Sequence, residues 1–407
     1  MTGLPDAFES LRRYRERPEH LLIGLMTGTS ADGVDAALVR VRGAGLAATP
    51  EVVGYRETAF GDELRREVLE VASAEVIEPE RLMRLDAALG ELYAEAVEDL
   101  LKQAGIRRGD VTAIGSHGQT VRHLPRGAGG GRALTLQLGS ASTLAERTGM
   151  MVVSDFRTRD TAAGGEGAPL VPIADWVLFR SNTEGRVLLN LGGMANVTHL
   201  PKGAPLERVL AFDTGPGNAV LDGLIGAATA GLARHDDGGR RAAQGRVHEG
   251  LLEELLADPF FQLPPPRSTG RERFGDGYVT RLREIGEQLG LSLEDQLATA
   301  AELTAVTVAD AIGRFLMPHG VDGVYVSGGG VRNATLMVAL RRRLEGVRVE
   351  RLDELGVAPE SKEALAFALL AHLTLSGAPG NVPAATGAHR SVVLGHLTPG
   401  GLPGEKR

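Results

Sequence analysis

Two periods alternate along the chain. Apolar residues at every second position mark strands, and apolar residues three and four apart mark helices. The run Leu21-Leu22-Ile23 passes into small residues and returns as Val34, Ala36 and Leu38 alternating with Asp35, Ala37 and Val39. This predicts a hairpin with its tip at 27–33, and residues 51–55 add a third strand. Helices are predicted over 61–74 and 79–104, the second on Leu82, Leu85, Leu89, Leu92, Ala96 and Leu100. Buried strands follow at 111–115 and 150–154 and an alternating strand at 134–139, with a helix at 142–148. Residues 127–131 (Gly-Ala-Gly-Gly-Gly) read as a surface loop, 170–179 as an amphipathic segment, and 1–19 as a charged, partly helical extension of little functional weight.

From Arg186 the opening pattern repeats. Residues 187–191 form a strand, Gly192-Gly193-Met194-Ala195-Asn196 a glycine turn, and 197–200 a returning strand. The next strand, 208–212, ends at Asp213-Thr214-Gly215-Pro216-Gly217-Asn218, with a helix from Ala219. Residues 251–256 are helical. Pro264-Pro265-Pro266-Arg267-Ser268-Thr269-Gly270 is a stiff basic connection, either a linker or a loop over a cleft. A long helix covers 292–315, and the strand 323–326 runs into Ser327-Gly328-Gly329-Gly330-Val331-Arg332-Asn333 before a helix near Ala334. Residues 359–363 cap a helix at 364–374, and 392–395 are too short to place from pattern.

With 407 residues and 43% of them apolar, the chain suits two domains or three, with a large core. It has no cysteine, so disulfides and thiolate chemistry are excluded. The charged first twenty residues predict no secretory signal, and no apolar run of about 18 residues occurs. The expected location is the cytoplasm, with no membrane partner. A net charge of −8 argues against nucleic acid, and an anionic ligand would need local donors. No Walker P-loop, dinucleotide fingerprint, H-E-x-x-H or G-x-S-x-G occurs.

The tip 27–33 reads either as an ordinary turn or as a nest of N–H groups for phosphates. Two glycine-tipped hairpins in one chain favour duplicated domains facing a shared nucleotide. The glycines at 328–330 let a flat ring lie against backbone. Ser116-His117-Gly118-Gln119-Thr120 stands just past a strand end, where ligands sit in α/β proteins. His117 is either a satisfied core histidine or part of a ligand-facing turn, and Ser116, Gln119 and Thr120 favour the turn. Asp155-Phe156-Arg157-Thr158-Arg159-Asp160 and the glycines at 164–167 read as a substrate-contacting loop. Asp213 stands at the mouth of its sheet, its direction fixed by the turn after it.

These motifs come in a familiar order. Gly28-Thr29-Ser30-Ala31-Asp32-Gly33-Val34-Asp35, Ser116–Thr120, Asp155-Phe156-Arg157, Gly164–Pro172, Asn190-Leu191-Gly192-Gly193, Phe212–Asn218 and Gly328-Gly329-Gly330 make the chain resemble the anhydro-N-acetylmuramic acid kinase family from about Leu21 to Leu397. The resemblance implies an α/β fold with two actin/hexokinase-like (ribonuclease H-like) lobes, mixed sheets flanked by helices and a central nucleotide cleft. The expected lobes are 1–160 plus 380–407, and 161–379. The family uses ATP and Mg2+ to open the 1,6-anhydro ring with water while phosphorylating O6, in peptidoglycan recycling. It implies Asp213 as general base, Gly28 to Asp35 as the ATP-phosphate hairpin, and Gly192, Gly193, Asn196, Gly328, Gly329 and Asn333 as further nucleotide contacts. His117, Thr120, Arg157 and Glu363 are expected on the sugar. The long charged N-terminus and Ala31, where a larger apolar residue is common, depart from the family pattern. The metal ligands stay unassigned, and a homodimer is left open. Two rival readings are another sugar kinase using Asp213 as base and a nucleotide-switched binding protein.

Overall fold

The computed structural model describes residues 7–126 and 131–400. Of the predicted loop 127–131 only Gly131 falls among them, and it is exposed. The described chain divides into two compact units. One comprises residues up to Leu178 together with those from Glu360 onward, and the other is Phe179–Pro359.

In the first unit, β1 (Glu19–Met26) and β2 (Gly33–Arg42) form the predicted hairpin, and β3 (Thr49–Ala59) extends it antiparallel. On the other side of β1 lie β4 (Ala113–Ser116) and β7 (Val152–Ser154), both parallel. A short antiparallel strand, His396–Thr398, closes that edge just beyond the unplaced stretch 392–395. A separate ribbon joins β5 (Gln119–Leu124) to β6 (Leu134–Leu138). The segment expected as a turn at Ser116–Thr120 therefore becomes a strand from Gln119 onward.

One face of this sheet packs on the helix Pro79–Ala104, where Leu85, Leu89, Val97 and Leu100 meet Ile23, Leu25, Val34, Ala36 and Leu38. The other face receives the helix Lys362–Ser376. Gly24 and Gly115 are paired across β1 and β4 and make this approach possible. A Cβ on Gly24 would stand 1.8 Å from Ala364 O, and one on Gly115 2.2 Å from Phe367 O. Two adjacent glycines thus cut a groove for the helix backbone. The N-terminal end of the helix comes to the carboxyl ends of the strands, beside the first tip.

The two units are bounded differently from the expected lobes. The helix Lys362–Ser376 belongs with β1 and β4, so the first unit resumes at Glu360 rather than at 380, and it runs to Leu178 rather than 160. Val171–Phe179 is also not amphipathic: six of its nine residues are buried and none is exposed, because protein covers it on every side.

The N-terminal helix Ala7–Glu16 docks on the far part of Lys362–Ser376. Tyr14 is 2% exposed, stacks on His20 at 3.7 Å between ring centroids, and its hydroxyl lies 2.8 Å from His372 Nδ1. Burial lowers the pKa of both histidines, that of His372 to about 4.

The second unit repeats the first sheet's order. β8 (Arg186–Leu191), β9 (Met194–Leu200) and β10 (Leu210–Pro216) are antiparallel neighbours, and β11 (Gly323–Ser327) and β12 (Arg348–Arg351) follow in parallel beyond β8. Numbered within each sheet, both run third, second, first, fourth, fifth, and the first sheet adds a sixth strand, His396–Thr398, beyond the fifth. The helices Leu293–Phe315 and Ala334–Arg343 cover this sheet. The duplication expected from the repeating pattern and the helix-flanked mixed sheets that the resemblance implies are therefore present.

Gly24→Ala is expected to destabilise the protein by about 1–3 kcal/mol or more, because backbone rather than a flexible side chain blocks the added methyl. Urea unfolding of the two proteins measures the difference.

Candidate active site

The first tip is held from below. Thr27 is buried and its Oγ1 donates to Gly118 O at 3.0 Å, while Gln119 Nε2 donates to Gly28 O at 3.1 Å. Ala31 takes a left-handed conformation (φ 53°), and its N–H closes a turn on Gly28 O at 3.2 Å. Thr29 and Ser30 are exposed, whereas Ala31 and Val34 are buried in the apolar core and offer a ligand no side chain. Asp32 pairs with Arg65 at 3.1 Å. Asp35 accepts from the Tyr55 hydroxyl, and burial raises its pKa.

The glycines of the candidate site are of two kinds. Gly33, Gly217 and Gly328 are required by the fold, since a Cβ would stand 2.4–2.6 Å from Thr58 O, Gly192 O and Asn190 Oδ1 respectively. At Gly28, Gly192, Gly193 and Gly329 a Cβ would meet nothing closer than 3.5 Å. Packing does not demand glycine at these four. Glycine leaves the backbone there uncovered.

In the second unit, Gly192 O and Gly193 O accept from Asn218 N (2.8 Å), Gly217 N (2.9 Å) and Ala219 N (3.0 Å), which ties the turn to the helix Ala219–Ala228. Asn196 is not on the turn. It lies within β9, paired with Asn190 on one side and Asp213 on the other. Asn333 is 8% exposed and its Oδ1 accepts from Leu336 N at 3.0 Å, so this oxygen caps a helix.

Asp213 lies inside β10, where the register shifts between Asp213 and Gly215. Such a bulge re-aims a side chain. The proline-rich connection is neither a free linker nor an open loop at this point: it is docked against Asp213. Ser268 Oγ and Thr269 N donate to Oδ2 at 3.0 and 2.8 Å. Asp213 N donates to Arg267 O (3.1 Å), and Arg267 Nε returns a bond to Asp213 O (2.9 Å). Arg267 is 8% exposed, and its Nη1 donates to the carbonyls of Phe260, Phe261 and Leu263. One buried guanidinium thus fixes both the loop and the carboxylate's backbone. Burial raises the Asp213 pKa, and the Thr269 and Ser268 bonds oppose the rise. Among the hydrogen bonds of the described residues, none engages Oδ1.

His117 is 3% exposed, and its Nε2 accepts from Arg157 Nε and Nη2 at 3.0 and 2.9 Å. The ring is therefore neutral. Burial and the guanidinium hold its pKa well below the ordinary value. His117 acts behind Arg157 as its support. Burial lowers the Arg157 pKa to about 10, and Glu363 opposes this. Thr120 Oγ1 accepts from Gln137 Nε2 at 3.2 Å. Glu363 counts as exposed over the whole residue, yet desolvation by the protein packed around its carboxyl raises its pKa, with Asp35 and Asp175 adding to the rise and Lys362 and Arg157 opposing it. The first unit so brings Asp35, Arg157 and Glu363 into one electrostatic neighbourhood.

Two other carboxylates of the dense polar stretch have partners within the first unit. Asp155 accepts from Thr158 N (3.2 Å) and Thr158 Oγ1 (2.6 Å) at the head of the helix Thr158–Ala162. Asp160 is fully buried and accepts from Gly167 N, Asn381 Nδ2 and Thr386 Oγ1 at 2.7–2.8 Å. Sequence reasoning missed Ser268 and Thr269 as holders of Asp213, and Tyr55 as the partner of Asp35.

A sequence model described as anhydro-N-acetylmuramic acid kinase matches residues 20–400. The chain belongs to the anhydro-N-acetylmuramic acid kinase family. It is 43% identical over 394 residues to a protein of that name from Caldanaerobacter subterraneus subsp. tengcongensis, covering 96% of this chain and all of the relative. It is 46% identical to those of Gloeobacter violaceus and Salinibacter ruber, covering 94% and 97% of this chain and 99% of each relative. It is accordingly a kinase of the anhydro-N-acetylmuramic acid kinase family along its whole matched length.

Two carboxylates of this kinase should respond oppositely to neutralisation. Asp160→Ala orphans three buried donors at about 1–3 kcal/mol each and should lower the melting temperature sharply. Asp213→Asn should melt no lower than the parent at pH 7. A carboxylate whose pKa is raised by folding weakens the fold when ionised, so any gap should close as the pH falls through the carboxyl range.

Proposed function

We propose that this protein uses ATP and Mg2+ to open the 1,6-anhydro ring of anhydro-N-acetylmuramic acid with water while phosphorylating O6, giving N-acetylmuramic acid 6-phosphate. The observation that carries the reading is Asp213, with Oδ2 held by Ser268 and Thr269 and Oδ1 left for a proton. Water attacks the anomeric carbon and gives its proton to Oδ1. The bond from that carbon to O6 breaks, and O6 takes the γ-phosphoryl group of ATP. General-base help of this kind is worth about 10²–10⁴ in rate.

Phosphoryl transfer depends on positioning and charge neutralisation more than on covalent assistance. The backbone of Gly28–Gly33, Gly192–Gly193 and Gly328–Gly329 is suited to phosphates, and the open positions at Gly28, Gly193 and Gly329 support that use. Among the described residues no three His, Cys, Asp or Glu side chains converge to hold a metal, so these residues offer no dedicated cage. A nucleotide-borne Mg2+ needs none, since it takes phosphates, water and one or two carboxylates, and when bound it neutralises phosphate charge. Arg157, Thr120 and Glu363 are assigned to the sugar, with His117 acting through Arg157. The setting we infer is the recycling of peptidoglycan fragments in the cytoplasm. Among the described residues no helix is long and apolar enough to cross a membrane.

ADP release should depend on the anhydro sugar in a coupled assay, and release indifferent to any sugar would overturn the reading. Asp213→Asn should keep ligand binding and lose about 10²–10⁴ of turnover. In the parent, kcat should fall as the pH drops through the Asp213 pKa. Ser268→Ala removes a bond that lowers this pKa, so the acid limb should move to higher pH. Gly193→Ala and Gly329→Ala should unfold within about 0.5–1 kcal/mol of the parent yet bind ATP more weakly by calorimetry.

A further inference from the structure

The helix Lys362–Ser376 opens with a lysine. Lys362 is 8% exposed, and its Nζ lies 2.9 Å from Oδ1 of Asp175, which is 2% exposed and belongs to the helix Val171–Phe179. Stability alone does not favour this arrangement. A cation at a helix N-terminus opposes the helix dipole. A buried ion pair recovers little of its desolvation penalty, and an apolar pair of similar volume would join the two helices as well or better. What an apolar pair lacks is charge beside Glu363, the next residue.

Four elements present charged or titratable groups to Glu363 besides its own helix. They are Asp35 on β2, Tyr55 on β3 through its bond to Asp35, Arg157 at the head of Thr158–Ala162, and Asp175 on Val171–Phe179. We propose that the Lys362–Asp175 pair is a positioning device for Glu363. It fixes the first turn of the helix and balances the charge around the carboxylate, so that Glu363 meets the sugar in one orientation and one protonation state. The inference rests on the reading that Glu363 faces the sugar. Lys362 pulls the Glu363 pKa down and Asp175 pushes it up. Loss of the two partners must therefore act in opposite directions, whereas a mere strut between helices would give one common effect.

Carboxyl-13C NMR of glutamate-labelled full-length protein, with Glu363 assigned by the signal lost in Glu363→Gln, measures this directly. Lys362→Met should raise the Glu363 pKa, Asp175→Asn should lower it, and Lys362→Arg should leave it near the parent value. Lys362→Met and Asp175→Asn should each lower kcat about tenfold or more, with Lys362→Arg restoring part of it. Should Lys362→Met fail to fold, Asp175→Asn and Lys362→Arg carry the test. An unmoved pKa, shifts of the same sign, or opposite shifts with parental turnover would overturn the proposal. The titration is read in the free enzyme and stands apart from catalysis. Full turnover by Glu363→Gln would instead overturn the sugar-side reading of Glu363.

Discussion

The first unit depends on the contact between the backbone of the helix Lys362–Ser376 and the paired glycines Gly24 and Gly115. Helices usually rest on sheets through side chains. Here two missing side chains let the helix sink onto β1 and β4, with Ala364 and Phe367 carbonyls lying where a Cβ would be. Lys362 and Glu363 stand at the head of this same helix, so its seat on the two strands sets where they stand. The same helix carries Phe367, whose ring lies 4.6 Å from that of His117. A shallower helix would break the relation between Glu363, Asp35 and Arg157.

The second unit reaches a similar end by other means. Asp213 is directed by a bulge in its own strand and by a loop far along the chain, and Arg267 holds that loop by saturating carbonyls. Both units carry an acidic side chain on a stiff support: Glu363 beside a buried ion pair, Asp213 under two donors. In each case the supporting groups shift the carboxyl pKa as well as its position.

The strands were legible because Val34, Ala36 and Leu38 alternate with a period of two, and so was the duplication, because Arg186 restarts the pattern. Asp213 could be singled out from the rigid turn that follows it. Its holders could not, since Ser268 and Thr269 look like any polar pair in a proline-rich stretch until tertiary packing brings them to Oδ2. Letters alone also do not separate Gly33, which the fold requires, from Gly28, which it does not. Only the atoms near the absent Cβ distinguish them. Asp155 and Asp160 resembled ligand groups because composition counts charges without showing who satisfies them. Lys362 passed for part of a helix cap, and its burial is a property of the fold.

The far end of Lys362–Ser376 has its own chemistry. Tyr14 of the N-terminal helix lies between His20 and His372, and both imidazoles are buried in their neutral form. An unfolded His372 takes up its proton near pH 6.5, the folded one only near 4, so falling pH across that window favours the open chain. The hold of the N-terminal helix on the helix that carries Glu363 thus includes two imidazoles kept uncharged, a contact that loses strength as acidity rises.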